Sequence, residues 1–245
     1  MPTATLINYT GIGHPDPLFA ARLLAYTKNT RMNLTPEALT AFLGKPEAEL
    51  LDELEYMAGT IASSWEFCDL TFAITDLSRS TALQMVRTRT ASFAHQSQRV
   101  TDMRQAKWDV PPTCDANQFN EAVRSSLLDY DAAITNGASL EDARDLLPQC
   151  LHGNLIAKYN LRGLVDLVRA RDSLRVQGPY ADVVKQMKQQ TLAVWPWAAT
   201  FFVPKQERAI KMIEAVALQL QDAPGAMYKG PAGTLAKAAD LLKSS

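Results

Sequence analysis

The stretch from Asp69 to Arg99, "DLTFAITDLSRSTALQMVRTRTASFAHQSQR", decides how this chain is read. At its start Leu70, Phe72 and Ile74 alternate with Thr71, Ala73 and Thr75. A period of two is that of a strand with one face buried. From residue 77 to 88 the character turns helical, so strand runs into helix. The closing segment, Arg87 to Arg99, then places Arg87, Arg89 and Arg99 among hydroxyls, glutamines and His95, with no acid between them. A solvated helix face usually mixes charges and a core segment avoids them. This segment does neither.

Working outward, "TLINYT" (5–10) reads as a second strand, followed by the loop "GIGHPDP". Its Gly-Ile-Gly is not a dinucleotide fingerprint, because the third glycine is missing and Pro15 and Pro17 prevent a helix from opening there. Residues 17–28 look helical. Thr35-Pro36 forms an N-cap and first-position pair. Residues 45–64 carry Leu50, Leu51, Leu54 and Met57 at helical spacing. Further on, 99–110 reads as an irregular return and 118–137 as a helix ending at Asn136-Gly137. Residues 139–149 start at a Ser139 cap and stop at Pro148. A strand is expected near 150–158, then helices over 160–174, 177–195 and 204–221. The last is amphipathic through Ile210, Ile213, Ala217 and Leu220, and a linker and short helix follow it. The pattern predicts an α+β class: a small mixed or antiparallel sheet, with packed helices making up most of the chain.

Composition bounds the function. The chain has 245 residues, 47% of them hydrophobic, enough for a sizeable core in one large domain or two small ones. Its 25 basic and 26 acidic residues leave a net charge of -1. That balance argues against nucleic acid as a partner, since such binders need many uncompensated cations. Cys68, Cys114 and Cys150 form no CxxC pair, and His14, His95 and His152 share no ligand spacing, so neither a disulfide framework nor a metal is expected. No apolar run reaches the ~20 residues of a membrane span, and no basic-then-apolar leader pattern stands at the start. The expectation is a soluble cytoplasmic protein with no membrane partner.

The chemistry sits in the arginines. If 77–88 is helical, Ser80, Gln84 and Arg87 share one polar face. A guanidinium there needs an anion, and its planar fork matches phosphate oxygens two at a time. The alternative is a solvated basic edge paired with acids elsewhere. A second group lies in "DARDLLP" (142–148) and "NLRGLVDLVRARD" (160–172), where Leu161, Leu164, Val165 and Val168 make an apolar stripe. Arg162, Asp166 and Arg169 share the other side, with Arg162 and Asp166 spaced as an ordinary surface pair. Arg171 has no local partner. Spacing suggests a pocket for phosphorylated ligands and names no reaction.

Together these segments resemble the flavin-dependent thymidylate synthases. The family signature, R-H-R-x-x-S-x-N/S-x-x-S-x-R-Y with a glutamine three residues upstream, stands here as Gln84, Arg87-Thr88-Arg89, Ser92, Ala94, Ser97, Arg99 and Val100. A second family region, A-R-x-x-L-P then N-x-R-x-L and a later arginine, stands as Ala143-Arg144 through Pro148, Asn160 to Leu164, and Arg171. The likeness runs in consistent order from about residue 5 to 200. It implies a homotetramer with active sites at subunit junctions, FAD reduced by NADPH, methylenetetrahydrofolate as carbon donor, and C5-methylation of dUMP to dTMP without a cysteine nucleophile. It divides the chain into a synthase-like domain, 1–203, and a helical extension, 204–245, packed on it.

Carried over by position, the resemblance gives Ser63, Arg87, Thr88, Arg89, His95, Asn160, Arg162 and Asp166 to the flavin. It gives Gln84, Arg87, His95, Gln96, Ser97, Gln98, Arg99 and Arg144 to the nucleotide. Arg171 would hydrogen-bond the pyrimidine ring and favour its ionised form, as the catalytic cation. Ser97 reads as a ligand, because no His–Asp pair stands ready to activate it. The chain also departs from the pattern. Thr88 stands for the motif histidine, Ala94 for Asn or Ser, and Val100 for the terminal tyrosine. The upstream H-x-S/T-x-x-E-H reads Ile61, Ser63, Glu66 and Phe67. Threonine cannot stack on flavin or carry charge as imidazole can. Two alternatives therefore stay open: a C5-methylase or hydroxymethylase acting on UMP or another pyrimidine nucleotide, of a nucleoside-antibiotic or phage pathway, and a binding homologue without catalysis.

Overall fold

Strand β2 (Asp69–Ser78) is the spine of the sheet, and the computed structural model describes residues 1–28, 35–171 and 178–222 around it. Leu70, Phe72 and Ile74 are fully buried, as the alternation demands. Past Ile74 a bulge with Asp76 at φ 53° turns Leu77 back into the core, so the strand runs on to Ser78. Three further strands pair antiparallel with their neighbours: β1 (Thr3–Tyr9), β3 (Ala91–His95) and β4 (His152–Asn160), in the order β1-β2-β4-β3. The expected α+β class is found, with the sheet antiparallel throughout.

Helices cover one face of this sheet. Helix α1 (Phe19–Tyr26) buries Ala20, Ala21, Leu24 and Ala25. Thr35 caps α2 (Pro36–Leu43) by accepting from the Ala38 N–H at 3.2 Å. In α3 (Glu47–Thr60) the buried stripe is Leu50, Leu54 and Met57. Leu51, expected in that stripe, is 39% exposed because it lies one step around the helix from Leu50. Helix α4 (Arg79–Met85) is shorter than the 77–88 read from sequence. Ser78 caps it from the end of β2, and the chain turns after Val86, which puts Arg87 beyond the helix rather than on its face.

Helices α5 (Ala116–Thr135) and α6 (Leu140–Ala143) form a smaller layer with their own cluster of Met103, Val123, Tyr130, Ala143, Leu147 and Leu151. Gly137, at φ 95°, ends α5 in the left-handed conformation that glycine tolerates. Ser139 caps α6 as expected, but the helix gives way to a tight 3-10 turn at Arg144–Leu146 before reaching Pro148. After β4 come α7 (Leu161–Arg171), α8 (Pro179–Val194), α9 (Ala199–Phe202) and α10 (Lys205–Asp222).

Helix α8 solves the edge problem of β1. Gln186 accepts from the Ala4 N–H at 2.9 Å and Gln190 from the Leu6 N–H at 2.6 Å. Their amide nitrogens donate to Pro2 and Ala4 carbonyls. Two side chains one helical turn apart thus pair the open backbone that would otherwise invite another strand. Helix α10 buries Ile210 and Ala217, and its Arg208 reaches Glu55 on α3. The side chain of Leu220, and the linker and short helix expected after α10, lie outside the described residues.

Candidate active site

The turn between α4 and β3 carries Arg87, Thr88 and Arg89. It is held where β3 and β4 pair Ala91 with Tyr159, next to the start of α7. Asn160 ends β4 and caps α7, its Oδ1 accepting from the Gly163 N–H at 2.8 Å. A Cβ on residue 163 would stand 3.3 Å from both Asn160 Oδ1 and Thr90 Oγ1. Glycine there lets the arginine turn dock on the first turn of α7.

Three groups of expected site residues follow from this framework. The first gathers at the Asn160 end of β4: Arg87 and Arg89 exposed, Thr88 half-buried, with Asn160, Arg162 and Asp166 on α7. Ser63 is exposed on the 3-10 turn Ala62–Phe67, whose Glu66 pairs with Arg162 at 2.6 Å. The local pair read from sequence, Arg162 with Asp166, is therefore not made. Glu66 arrives from a packed neighbouring element, while Asp166 lies 4.0 Å from Arg169. Arg169 itself donates to the Phe201 and Val203 carbonyls, a structural role at the end of α9. Gln84 lies exposed on α4, just before the turn.

The second group sits at the other end of β3, where His95 pairs with Leu155. Four strand steps separate it from Ala91, ~13 Å at ~3.3 Å per residue. Gln96 accepts from the Asn154 N–H at 3.0 Å, Gln98 is buried, Ser97 is exposed, and Arg99 pairs with Glu141 on α6 at 2.7 Å. Arg144 follows at the start of the 3-10 turn after α6, with Asp145 as its ion-pair partner among the described residues, at 4.0 Å. Arg79 belongs here too. Its guanidinium stands 3.4 Å from His95 Nδ1, and both line a small opening with Gln96, Gln98, Met103, Leu151 and Gly153. Burial, and then the Arg79 charge, hold the His95 imidazole below its usual pKa and so favour the neutral ring. The sequence reading passed over Arg79. The signal available was a cation in the first turn of a helix, where the helix dipole disfavours it.

Arg171 makes the third group, at the end of α7 and ~15 Å along the helix axis from its start. Among the described residues its buried Nε has no hydrogen-bond partner, and neither do the hydroxyls of Tyr159 and Tyr180. The Thr88 side chain lies beside the Tyr159 hydroxyl, but no bond of ordinary geometry closes. Burial foremost, and then Tyr180, push the Tyr159 phenol well above its usual range, so it stays protonated.

The donor set suits anionic ligands. Among the described residues Arg87, Arg89 and Arg171 make no ion pair. Three such guanidiniums, Arg171 among them lying over the ring of the buried Tyr180, are what a phosphorylated, ring-bearing ligand or cofactor would satisfy. The His95 group lies apart from the other two, which meet through Tyr159, beside Thr88 on one side and near the Tyr180 ring under Arg171 on the other; the opening beside His95 is small.

The family profile described as "Thymidylate synthase complementing protein" matches residues 5–197. The chain belongs to this family. A flavin-dependent thymidylate synthase of Nitratidesulfovibrio vulgaris is 35% identical over 196 residues, covering 72% of this chain and 76% of the relative. Proteins of the same description from Geobacter sulfurreducens and Thermococcus onnurineus are 29% and 28% identical, over 74% and 68% of this chain and 80% and 76% of theirs. The Thymidylate synthase complementing protein match spans β1 through the turn before α9, so α10 lies beyond it.

Proposed function

We propose that this chain methylates dUMP at C5 in a flavin-dependent reaction, with methylenetetrahydrofolate as carbon donor and NADPH as reductant. The observation that carries the reading is that, among the described residues, Arg87, Arg89 and Arg171 have no carboxylate partner, in a chain of this family. Bound FAD would supply the carbon-transfer and hydride chemistry; the protein's share is orientation and field. Arg87 and Arg89 would hold the cofactor with Ser63, Asn160 and Arg162. Arg79, Gln96, Gln98, Arg99 and Arg144 would take the nucleotide phosphate. Arg171 would stand against the pyrimidine ring. Uracil C5 is a poor nucleophile until negative charge builds in the ring, and a fixed cation at that charge is worth on the order of 10²–10³ in rate.

The reading includes a homotetramer whose subunits bring separated groups together. Two features favour it: the separation of the His95 group from the arginine turn, ~13 Å along β3, and a sheet face left open at Ser92, Ala94, Ile156 and Lys158. The cytoplasmic setting is part of the same proposal, in keeping with Cys68, Cys114 and Cys150 all being free thiols. Among the described residues no helix is long and apolar enough to cross a membrane.

Purified protein tests this directly. The expected preparation is yellow and bleaches with NADPH, and it releases tritium from 5-labelled dUMP when methylenetetrahydrofolate is present. Arg171→Ala should abolish release while keeping the flavin. Release from 5-labelled UMP alone would transfer the activity to ribonucleotides. A colourless protein that binds dUMP without releasing label would make the chain a binding homologue.

A further inference from the structure

Several arginines of this chain are steadied by carboxylates: Arg162 by Glu66, Arg99 by Glu141, Arg208 by Glu55. Arg171 is not. Its guanidinium carbon lies 4.4 Å over the centre of the Tyr180 ring, at the start of α8. Tyr180 is 4% exposed, so the ring is a fixed surface rather than a swinging side chain. The Arg171 Nε is buried without a hydrogen bond among the described residues.

The two ways of holding an arginine differ in what remains available. A carboxylate sets the direction of the guanidinium and cancels its charge. An aromatic face sets the plane through the attraction between cation and ring quadrupole and leaves the net charge in place. The end of α7 works in the same sense, because a helix C-terminus favours a cation without neutralising it. Tyr159, fully buried and near Tyr180, backs this arrangement with a second ring.

We infer that Tyr180 is the positioning residue of Arg171: its ring aims the guanidinium at the pyrimidine and preserves the charge that the ring anion requires. The inference rests on the proposed contact between Arg171 and the base. The probe is 5-fluoro-dUMP bound to the flavin-loaded full-length protein, with ionisation of its N3–H followed by ultraviolet difference spectra against pH. The native protein should ionise the bound ligand at lower pH than in free solution. Tyr180→Phe, which keeps the ring, should match the native protein. Tyr180→Leu should lower the ratio of ionised to neutral bound ligand about 10-fold at fixed pH, a displacement of one pH unit. Its kcat should fall in step while the nucleotide dissociation constant, set by the phosphate-binding arginines, holds within about 3-fold.

Arg171→Ala separates the two layers of the argument. If that variant leaves the ligand's ionisation as in the native protein, the contact between Arg171 and the base is wrong. If it abolishes the effect and Tyr180→Leu does not, Tyr180 alone loses its role. Damage by Tyr180→Phe equal to that by Tyr180→Leu would also overturn the inference, since the ring would then not be the acting group. Should Tyr180→Leu fold poorly, Tyr180→Met fills similar volume without a ring, and the same outcomes decide.

Discussion

Gly163→Ala is a small substitution with a large expected consequence for the site and almost none for the fold. The new methyl would meet Asn160 Oδ1 and Thr90 Oγ1 at 3.3 Å and the Thr90 carbonyl at 3.6 Å. The first two contacts are a few tenths of an ångström too close, and Asn160 Oδ1 is already committed to the Gly163 N–H at 2.8 Å. Moving that oxygen weakens the cap of α7, a loss of ~0.5–2 kcal/mol. Alanine returns up to ~1 kcal/mol through its higher helix propensity. The two nearly cancel, and at ~2–4 °C per kcal/mol for a chain of this size the melting temperature should move by less than ~4 °C. Position does not cancel. Asn160 and the turn bearing Arg87 and Arg89 are both displaced, so flavin affinity should fall ~10-fold or more, the scale of one lost oriented contact of ~1.4 kcal/mol. Fluorescence titration of the apoprotein with FAD, beside calorimetry, measures both. A variant with unchanged flavin affinity and unchanged melting would refute the idea that glycine at 163 serves the docking of the arginine turn.

Three more outcomes follow from the same geometry. The neutral preference of His95 means that its contribution to stability is complete above ~6.5, the ordinary histidine value, and is lost as pH falls toward its lowered folded value. Its ring titration by NMR should rise in Arg79→Gln and also on adding dUMP, and indifference to both would remove the pocket from the nucleotide site. Glu141→Gln should leave melting within ~3 °C, because exposed pairs are worth ~0–1 kcal/mol. It should tighten nucleotide binding several-fold by releasing Arg99, and weakening like that of Arg99→Ala would contradict this. Glu53 is 10% exposed; burial raises its pKa, but Lys45 at 2.7 Å and Lys28 at 3.0 Å outweigh it and set the carboxyl below 4.5. Glu53→Gln should cost ~1–3 kcal/mol at neutral pH. That deficit should vanish as pH drops through the lowered value and the native carboxyl takes its proton; a deficit constant down to pH 3 would argue for packing instead of charge.

What the sequence determined by itself was everything set by local periodicity and end chemistry. The alternation in 69–76 became β2, Thr35 and Ser139 became caps, and Asn136-Gly137 ended α5, because burial period and capping are short-range properties. The family motifs also stood in plain order along the chain, and the family match covers the stretch that carries them. Strand β3 escaped notice because it is only five residues long, its outward Ser92 and Ala94 are small, and it lies at the sheet's edge, where no long apolar stripe announces it. Only the tertiary structure decided that Arg162 pairs with Glu66, that Arg79 stands beside His95, and that Arg171 rests on Tyr180. Those partners come from distant elements, and strand register and helix packing choose among them by summed long-range contacts that no local window contains.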